Sequence, residues 1–412
     1  MTHATRTLVI IFVALIVSNL CFDPPTGFTT DVEPLRLFIL NSNQIAESKK
    51  RIDHNDNKFL PALNKLRRDA DRALSIGPFS VTDKSLAPPS GDKHDYMSIA
   101  PYWWPNPKTP NGLPYLRRDG EINPERDQTS DRKRLDQLAR AVKTLAWGFF
   151  FTGKEDYAAR AAKLLQVWFI EDRTKMNANL LYAQAIPGRN QGRGAGIIET
   201  HNLPELIDAI GLLSGAKAWN AAEQKSMQDW FNAYLNWLLE SAEGKAEAKT
   251  VNNHGTWYDV QVAAFAAFVG RDELASKVLA AFPASRIASQ IEPDGRQPRE
   301  LDRTQSWDYC LFNLEAFFHA AAIAEKFGID IWNYETGDKR SIRKALDWLV
   351  PYASGGKKWS YHQISAFEPE KLAPLLRRAA LAYHEPDYEK VISRLPKVTG
   401  DERWQLLHPK NP

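Results

Sequence analysis

The chain has 412 residues, 43 % apolar and 25 % charged, with a net charge of +3. That length can bury the core of one large globular domain, and the composition is that of an ordinary globular protein. A charge so close to balance argues against a nucleic-acid partner, although a mild positive excess suits an acidic substrate gathered in one cleft. The 13 Trp and 13 Tyr fit either packing between helices or stacking on sugar faces. The two cysteines, Cys21 and Cys310, allow neither a disulfide framework nor a cysteine metal cluster.

Residues 1–22 read as a signal peptide. Arg6 precedes an uninterrupted apolar run from Leu8 to Val17, too short to span a bilayer comfortably. An uncleaved N-terminal anchor is the alternative, and a membrane partner is expected only in that case. The expected location is secreted or periplasmic. Residues 23–34, with Asp23-Pro24-Pro25, read as a linker. Residues 35–400 form one domain and residues 401–412 a tail.

From Pro34 onward a helical period dominates. Leu135, Leu138, Val142, Leu145 and Phe149 recur at three and four. Similar stripes run through Tyr157–Trp168, Leu206–Leu213, Trp230–Leu238, Val260–Ala267, Leu311–Phe318, Ile342–Val350, Leu372–Leu381 and Tyr388–Leu395. Glycines at 153, 188, 215, 244, 270 and 328 separate them, and no strand pattern of useful length is found. The chain is therefore expected to be all-α, with about a dozen helices in antiparallel hairpins. Such hairpins can close into an (α/α) toroid or incomplete barrel whose end loops build a cleft. Two long stretches break the rhythm, 77–127 and 292–303. Loops that long are functional or disordered, and the aromatic run from His94 to Pro107 argues for order.

Four segments can carry chemistry. The aromatic loop offers Tyr102, Trp103 and Trp104 as a sugar-stacking wall, or as a plug over a helix end. Gly188 to Leu203 sets Arg189 and Arg193 among glycines, with His201 beyond them. Without a Gly-Lys-Ser/Thr ending it is no phosphate loop, but it can present arginines to an anionic sugar. Thr250 to Asp259, TVNNHGTWYD, opens a helix that Asn252 or Asn253 can cap, with His254 in its first turn and Tyr258 on the same face. A helix N-terminus disfavours imidazolium and suits an anionic ligand. Arg296 to Phe312 gathers Arg299, Arg303 and Tyr309. Arginines match carboxylates in bidentate fashion, and a tyrosine beside a cation can have a lowered pKa. Read alone, the last two segments are better explained as a capped helix with a packed histidine and as a helix start whose charges pair with Glu300, Asp302 and Asp308. A smaller echo, Trp359, Tyr361, His362 and Gln363, lies near the C-terminus. There is no Gly-x-Ser-x-Gly elbow, zinc helix or dinucleotide fingerprint, so no metal or cofactor is expected.

Together, SIAPYWWPNP, the Asn-Asn-His helix start, Arg-Glu-Leu-x-Arg…Tyr and the Gly-Arg-Gly loop resemble the alginate lyase superfamily of polysaccharide lyases, over roughly residues 75–365. The resemblance implies an (α/α) toroid and β-elimination at uronic acids. It implies Asn253, His254, Arg303 and Tyr309 as the catalytic set. The Arg303–Tyr309 spacing is one residue shorter than in the best-known branch, which points to a sister branch active on glucuronan as well as alginate.

Elimination removes the C5 proton beside the carboxylate and expels the C4 oxygen. It needs a neutraliser for the carboxylate, a base and an acid. Asn253 and Arg303 suit the first need, His254 and Tyr309 the others. Substrate binding is expected from Asn252, Arg299, Arg189, Arg193, His201, Tyr102, Trp103, Trp104, Tyr258 and Gln363. The partner is an anionic polysaccharide or oligosaccharide, and the sequence carries no clear oligomer signal. Two alternatives remain. One is a glycoside hydrolase using two of Asp95, Glu199, Glu300 and Asp308. The other is a non-catalytic carbohydrate-binding protein.

Overall fold

The periodic stripes become helices in the computed structural model, which describes residues 35–129, 131–396 and 403–410. The leader and joint expected over 1–34 lie outside the described residues. The helices are α1 Ser42–Asp53, α2 Leu60–Ala73, α3 Asp131–Thr152, α4 Glu155–Leu165, α5 Leu203–Gly211, α6 Ala221–Glu240, α7 Ala242–Ala248 and α8 Asn253–Phe268. They continue as α9 Asp272–Phe282, α10 Ala288–Gln290, α11 Pro298–Leu301, α12 Ser306–Glu325, α13 Ile342–Ala353, α14 Ala373–Ala382, α15 Asp387–Ile392 and α16 Trp404–Leu407.

Successive helices pack as hairpins, α2 on α3, α3 on α4, α8 on α9 and α14 on α15. The hairpins wrap into a helical toroid, as the family resemblance implies. Helices α8 and α12 lie against each other at its centre and are buried almost all round. Their alanines, among them Ala263, Ala267, Ala316 and Ala320, keep the two backbones close. Buried aromatics such as Trp168, Phe231, Trp307 and Phe317 fill the spaces between helices. Much of the aromatic excess is thus core. Residues 403–410, within the expected tail, carry α16, which packs on α1 and α2 and buries Leu406 and Leu407.

Strand content is very small, as expected. Four short strands lie among the described residues: β1 Met97–Ile99, β2 Trp103–Trp104, β3 Leu116–Arg117 and β4 Tyr182–Ala185. Strand β1 pairs in parallel with β4, and β2 antiparallel with β3. They are two to four residues long, below what alternation in a sequence can reveal. Their effect is to fold the 77–127 loop over the end of the toroid helices. A buried ion pair pins that loop. Lys84 Nζ lies 2.6 Å from Asp131 Oδ2 at the start of α3, with both side chains almost wholly buried. Lys84 also donates to the carbonyls of Lys93 and Asp95, and Asp131 accepts from the Met97 amide. No helix among the described residues is long and apolar enough to cross a membrane.

Candidate active site

A cavity of about 620 Å³ opens where the 77–127 loop, the Gly-Arg-Gly segment and the starts of α8 and α12 converge. Five arginines, at 117, 126, 132, 193 and 303, line it against three carboxylates, at 136, 199 and 308. The excess of positive charge favours an anionic occupant.

Asn253 and His254 reach the cavity because they begin α8. Sequence reasoning expects an asparagine side chain to cap this helix, but Asn252 sits at the cap position without a side-chain hydrogen bond. Glu300 on α11 does the capping instead. It accepts 2.7 Å bonds from both the Asn253 amide N–H and Asn253 Nδ2. A carboxylate is the stronger acceptor at a positive helix end. The same pair of bonds fixes the Asn253 side chain. Burial raises the Glu300 carboxyl, and these bonds oppose the rise. His254 Nδ1 lies 2.5 Å from Glu247 Oε1, on the buried carboxylate of α7. That contact assigns the proton to Nδ1 and leaves Nε2 as the ring acceptor.

Tyr309 lies in the first turn of α12, and its hydroxyl has two partners. Arg303 Nη2 donates to it at 2.7 Å, and Tyr102 Oη lies 2.8 Å away. The Arg303 guanidinium also stacks 3.7 Å from the Tyr309 ring centre. A lowered phenol pKa is the expectation for a tyrosine beside a cation. The structure gives the opposite direction: burial pushes Tyr309 up, Tyr102 adds to it, and Arg303 only partly offsets them. Arg303 itself is chelated by Asp119, with bonds of 2.8–3.2 Å from Nε and Nη2. Burial works against ionised Asp119, yet Arg303 holds its carboxyl down to about 2. Most of the Arg303 charge is therefore already matched.

Arg193 differs. Its neighbours Gly192 and Gly194 are required by close approach, since a Cβ there would overlap the carbonyls of Leu181 and Glu243 respectively. Arg193 Nη2 donates to Gln184 at 2.6 Å, while buried Nε has no hydrogen-bond partner. No ion pair to Arg193 exists among the described residues.

The other expected binding residues divide into two groups. Asn252, His201, Tyr102 and Trp103 line the cavity beside Arg193. His201 Nδ1 donates to the Ile198 carbonyl, 2.8 Å away, and the ring lies edge-on to Trp257 and Phe312 and is kept from protonating by burial. Arg189, Arg299, Trp104, Tyr258 and Gln363 do not line it. Arg189 stacks over Trp103 and bonds the Tyr115 carbonyl, one layer behind the wall. Arg299 donates to the Val251 and Ser289 carbonyls. Trp104 donates to the Glu121 carbonyl. Tyr258 is buried with its hydroxyl on the Leu238 carbonyl. Gln363 accepts from the Trp307 amide and so fixes the start of α12.

The carboxylates considered for hydrolysis are all engaged. Glu199 accepts from Tyr96 and Ser98, Glu300 from Asn253, and Asp308 from Gln363 and Lys371. Asp95 accepts from Ser90, Asn177 and Asn179 and lies outside the cavity. Asp119 and Glu247 are functional neighbours that sequence reasoning misses. Each lies in an unremarkable polar stretch and reaches its partner only through the fold.

A family model described as alginate lyase matches residues 80–359. The chain is 40 % identical to an alginate lyase from Bacteroides ovatus of known structure. The match covers 90 % of this chain and 99 % of that one, with a TM-score of 0.87. Alginate lyase A1-III from Sphingomonas species A1 is 16 % identical, over 94 % of this chain and 100 % of that one, at a TM-score of 0.59. A variant of the latter enzyme complexed with a tetrasaccharide superposes with a TM-score of 0.59 at 15 % identity, over 93 % of this chain and 98 % of that one. Comparison with curated protein sequences finds no match.

Proposed function

The chain belongs to the alginate lyase family, and on that premise we propose that it cleaves polymers of D-uronic acids, polymannuronate or glucuronan, by β-elimination. The product carries a C4=C5 double bond at its new non-reducing end. The observation that carries the reading is the Tyr309 hydroxyl held between Arg303 and Tyr102 on the cavity that Asn253, His254 and Arg193 also line.

The roles follow from the partners. The substrate carboxylate must lose its charge before C5 can release a proton. Among the described arginines of the cavity, Arg193 is the one without an ion pair, and Asn253 adds an amide donor whose orientation Glu300 fixes. Arg303, already matched by Asp119, serves Tyr309 instead: its hydrogen bond and stacked charge stabilise phenolate. In D-mannuronate and D-glucuronate the C5 proton and the C4 oxygen lie on one side of the ring. Tyr309 then takes the proton from C5, electrons move to form C4=C5, and the same hydroxyl protonates the departing C4 oxygen. Tyr102 Oη, 2.8 Å away, helps to position the Tyr309 hydroxyl, and the proton released when phenolate forms passes to water. In L-guluronate the two groups lie on opposite faces. Only there would Nε2 of His254 have to act as base and Tyr309 as acid.

The apolar run from Leu8 to Val17 supports export, which a polymer too large to enter a cell requires. N-terminal sequencing of the mature protein tests that part. For the activity, purified protein is incubated with polymannuronate, polyguluronate and glucuronan, and the absorbance of the new double bond is followed. Activity confined to polyguluronate would overturn the single-tyrosine route.

A further inference from the structure

A second cavity of about 510 Å³ shares no lining residue with the substrate cavity. Glu205 on α5 and Glu315 and His319 on α12 each bring one ligand atom into it, all within 4.8 Å of one another. His319 is 1 % exposed. Its Nδ1 lies 2.7 Å from the Glu315 backbone carbonyl, which can only accept. Nδ1 therefore carries the proton, and Nε2 of the neutral ring is a lone pair. That Nε2 is buried without a hydrogen-bond partner and faces Glu205 Oε1 at 3.4 Å. Two acceptors face each other, an arrangement that burial penalises unless a cation lies between them. Lys143 occupies the other oxygen of Glu205 and leaves Oε1 for that cation.

We propose that Glu205, Glu315 and His319 form a binding site for a divalent transition-metal ion of the zinc type, separate from the catalytic cavity. One imidazole and two carboxylates suit zinc, whereas calcium and magnesium prefer oxygen ligands alone. The cavity leaves space for water at the fourth position. Lys143 and Arg378 also line the cavity and offset part of the carboxylate charge. The ion would tie α5 to α12, the helix whose first turn carries Tyr309.

The test uses untagged full-length protein stripped with a chelator, then given zinc or calcium. Metal content after desalting and the thermal midpoint are measured for the wild type, Glu205→Gln and Glu315→Gln. The expected result is one zinc per chain, a midpoint several degrees higher with zinc than with calcium, and loss of both effects in Glu315→Gln. Glu205→Gln should weaken zinc uptake, and both substitutions keep side-chain volume. His319→Gln is a third variant, and the outcome does not depend on its folding. Wild-type protein that retains no zinc would overturn the proposal and leave an imidazolium–carboxylate pair at this place. Equal zinc uptake by wild type and both glutamine variants would overturn it too, because the metal would then lie elsewhere.

Discussion

Arg303 lies over the face of Tyr309, 3.7 Å from the ring centre, and also donates a 2.7 Å hydrogen bond to its hydroxyl. One guanidinium thus meets the phenol through both its ring and its oxygen, while Asp119 holds the guanidinium from behind. Tyr309→Phe keeps the ring and the stacking but removes the proton-transfer atom. We expect kcat to fall on the order of 10²–10⁴-fold with KM little changed. Steady-state kinetics on polymannuronate check this, and a variant with full kcat would remove Tyr309 from the mechanism.

The pH profile follows from the direction of the Tyr309 shift. Burial holds the phenol protonated, so phenolate is scarce near neutrality and grows as pH rises. If Tyr309 is the base, kcat/KM for polymannuronate climbs through the alkaline range until the protein unfolds. Arg303→Gln removes a cation that opposes the shift and moves the climb to higher pH. A flat profile would restrict Tyr309 to the acid role.

Arg193 and Asp119 separate binding from chemistry. Arg193→Ala removes the cation proposed to meet the substrate carboxylate. A charge-assisted hydrogen bond is worth about 1.5–3 kcal/mol, so kcat/KM should fall roughly 10- to 100-fold. Asp119→Asn frees Arg303 without removing it, and the loss should appear in kcat, because Tyr309 is less well held. If Asp119→Asn changes only KM, Arg303 contacts substrate directly.

Asp119 also bears on acid stability. Its folded pKa, about 2, is below the ordinary carboxylate value. Its contribution is therefore present above about pH 4 and is lost as pH falls toward 2. The larger stability effect is predicted at Asp131. Asp131→Ala leaves the Lys84 ammonium buried without its partner, and such a loss costs about 3–5 kcal/mol. Urea melts measure it, and a change below 1 kcal/mol, roughly what an exposed pair is worth, would contradict the anchoring role.

The architecture was legible because helical periodicity is written locally. Leu135, Leu138, Val142 and Leu145 do recur on the buried side of α3. The cavity residues on helix starts, Asn253, His254 and Tyr309, were legible for a related reason: motif and element coincide there. What escaped notice depends on distance in the chain. Glu247 and Asp119 meet His254 and Arg303 only after folding, and Asp119 lies 184 residues from its partner. Burial escaped notice too. It turned the expected lowering of the Tyr309 pKa into a rise and placed Tyr258 in the core. The strands of the aromatic loop are too short for any alternation to show.

The most direct measurement is ultraviolet absorbance during incubation of the wild type and Tyr309→Phe with polymannuronate and glucuronan. The account predicts that absorbance from a C4=C5 double bond grows with the wild type on at least one of these polymers and is nearly abolished in the variant. New reducing ends without that absorbance would contradict it, as they would show hydrolysis in place of elimination.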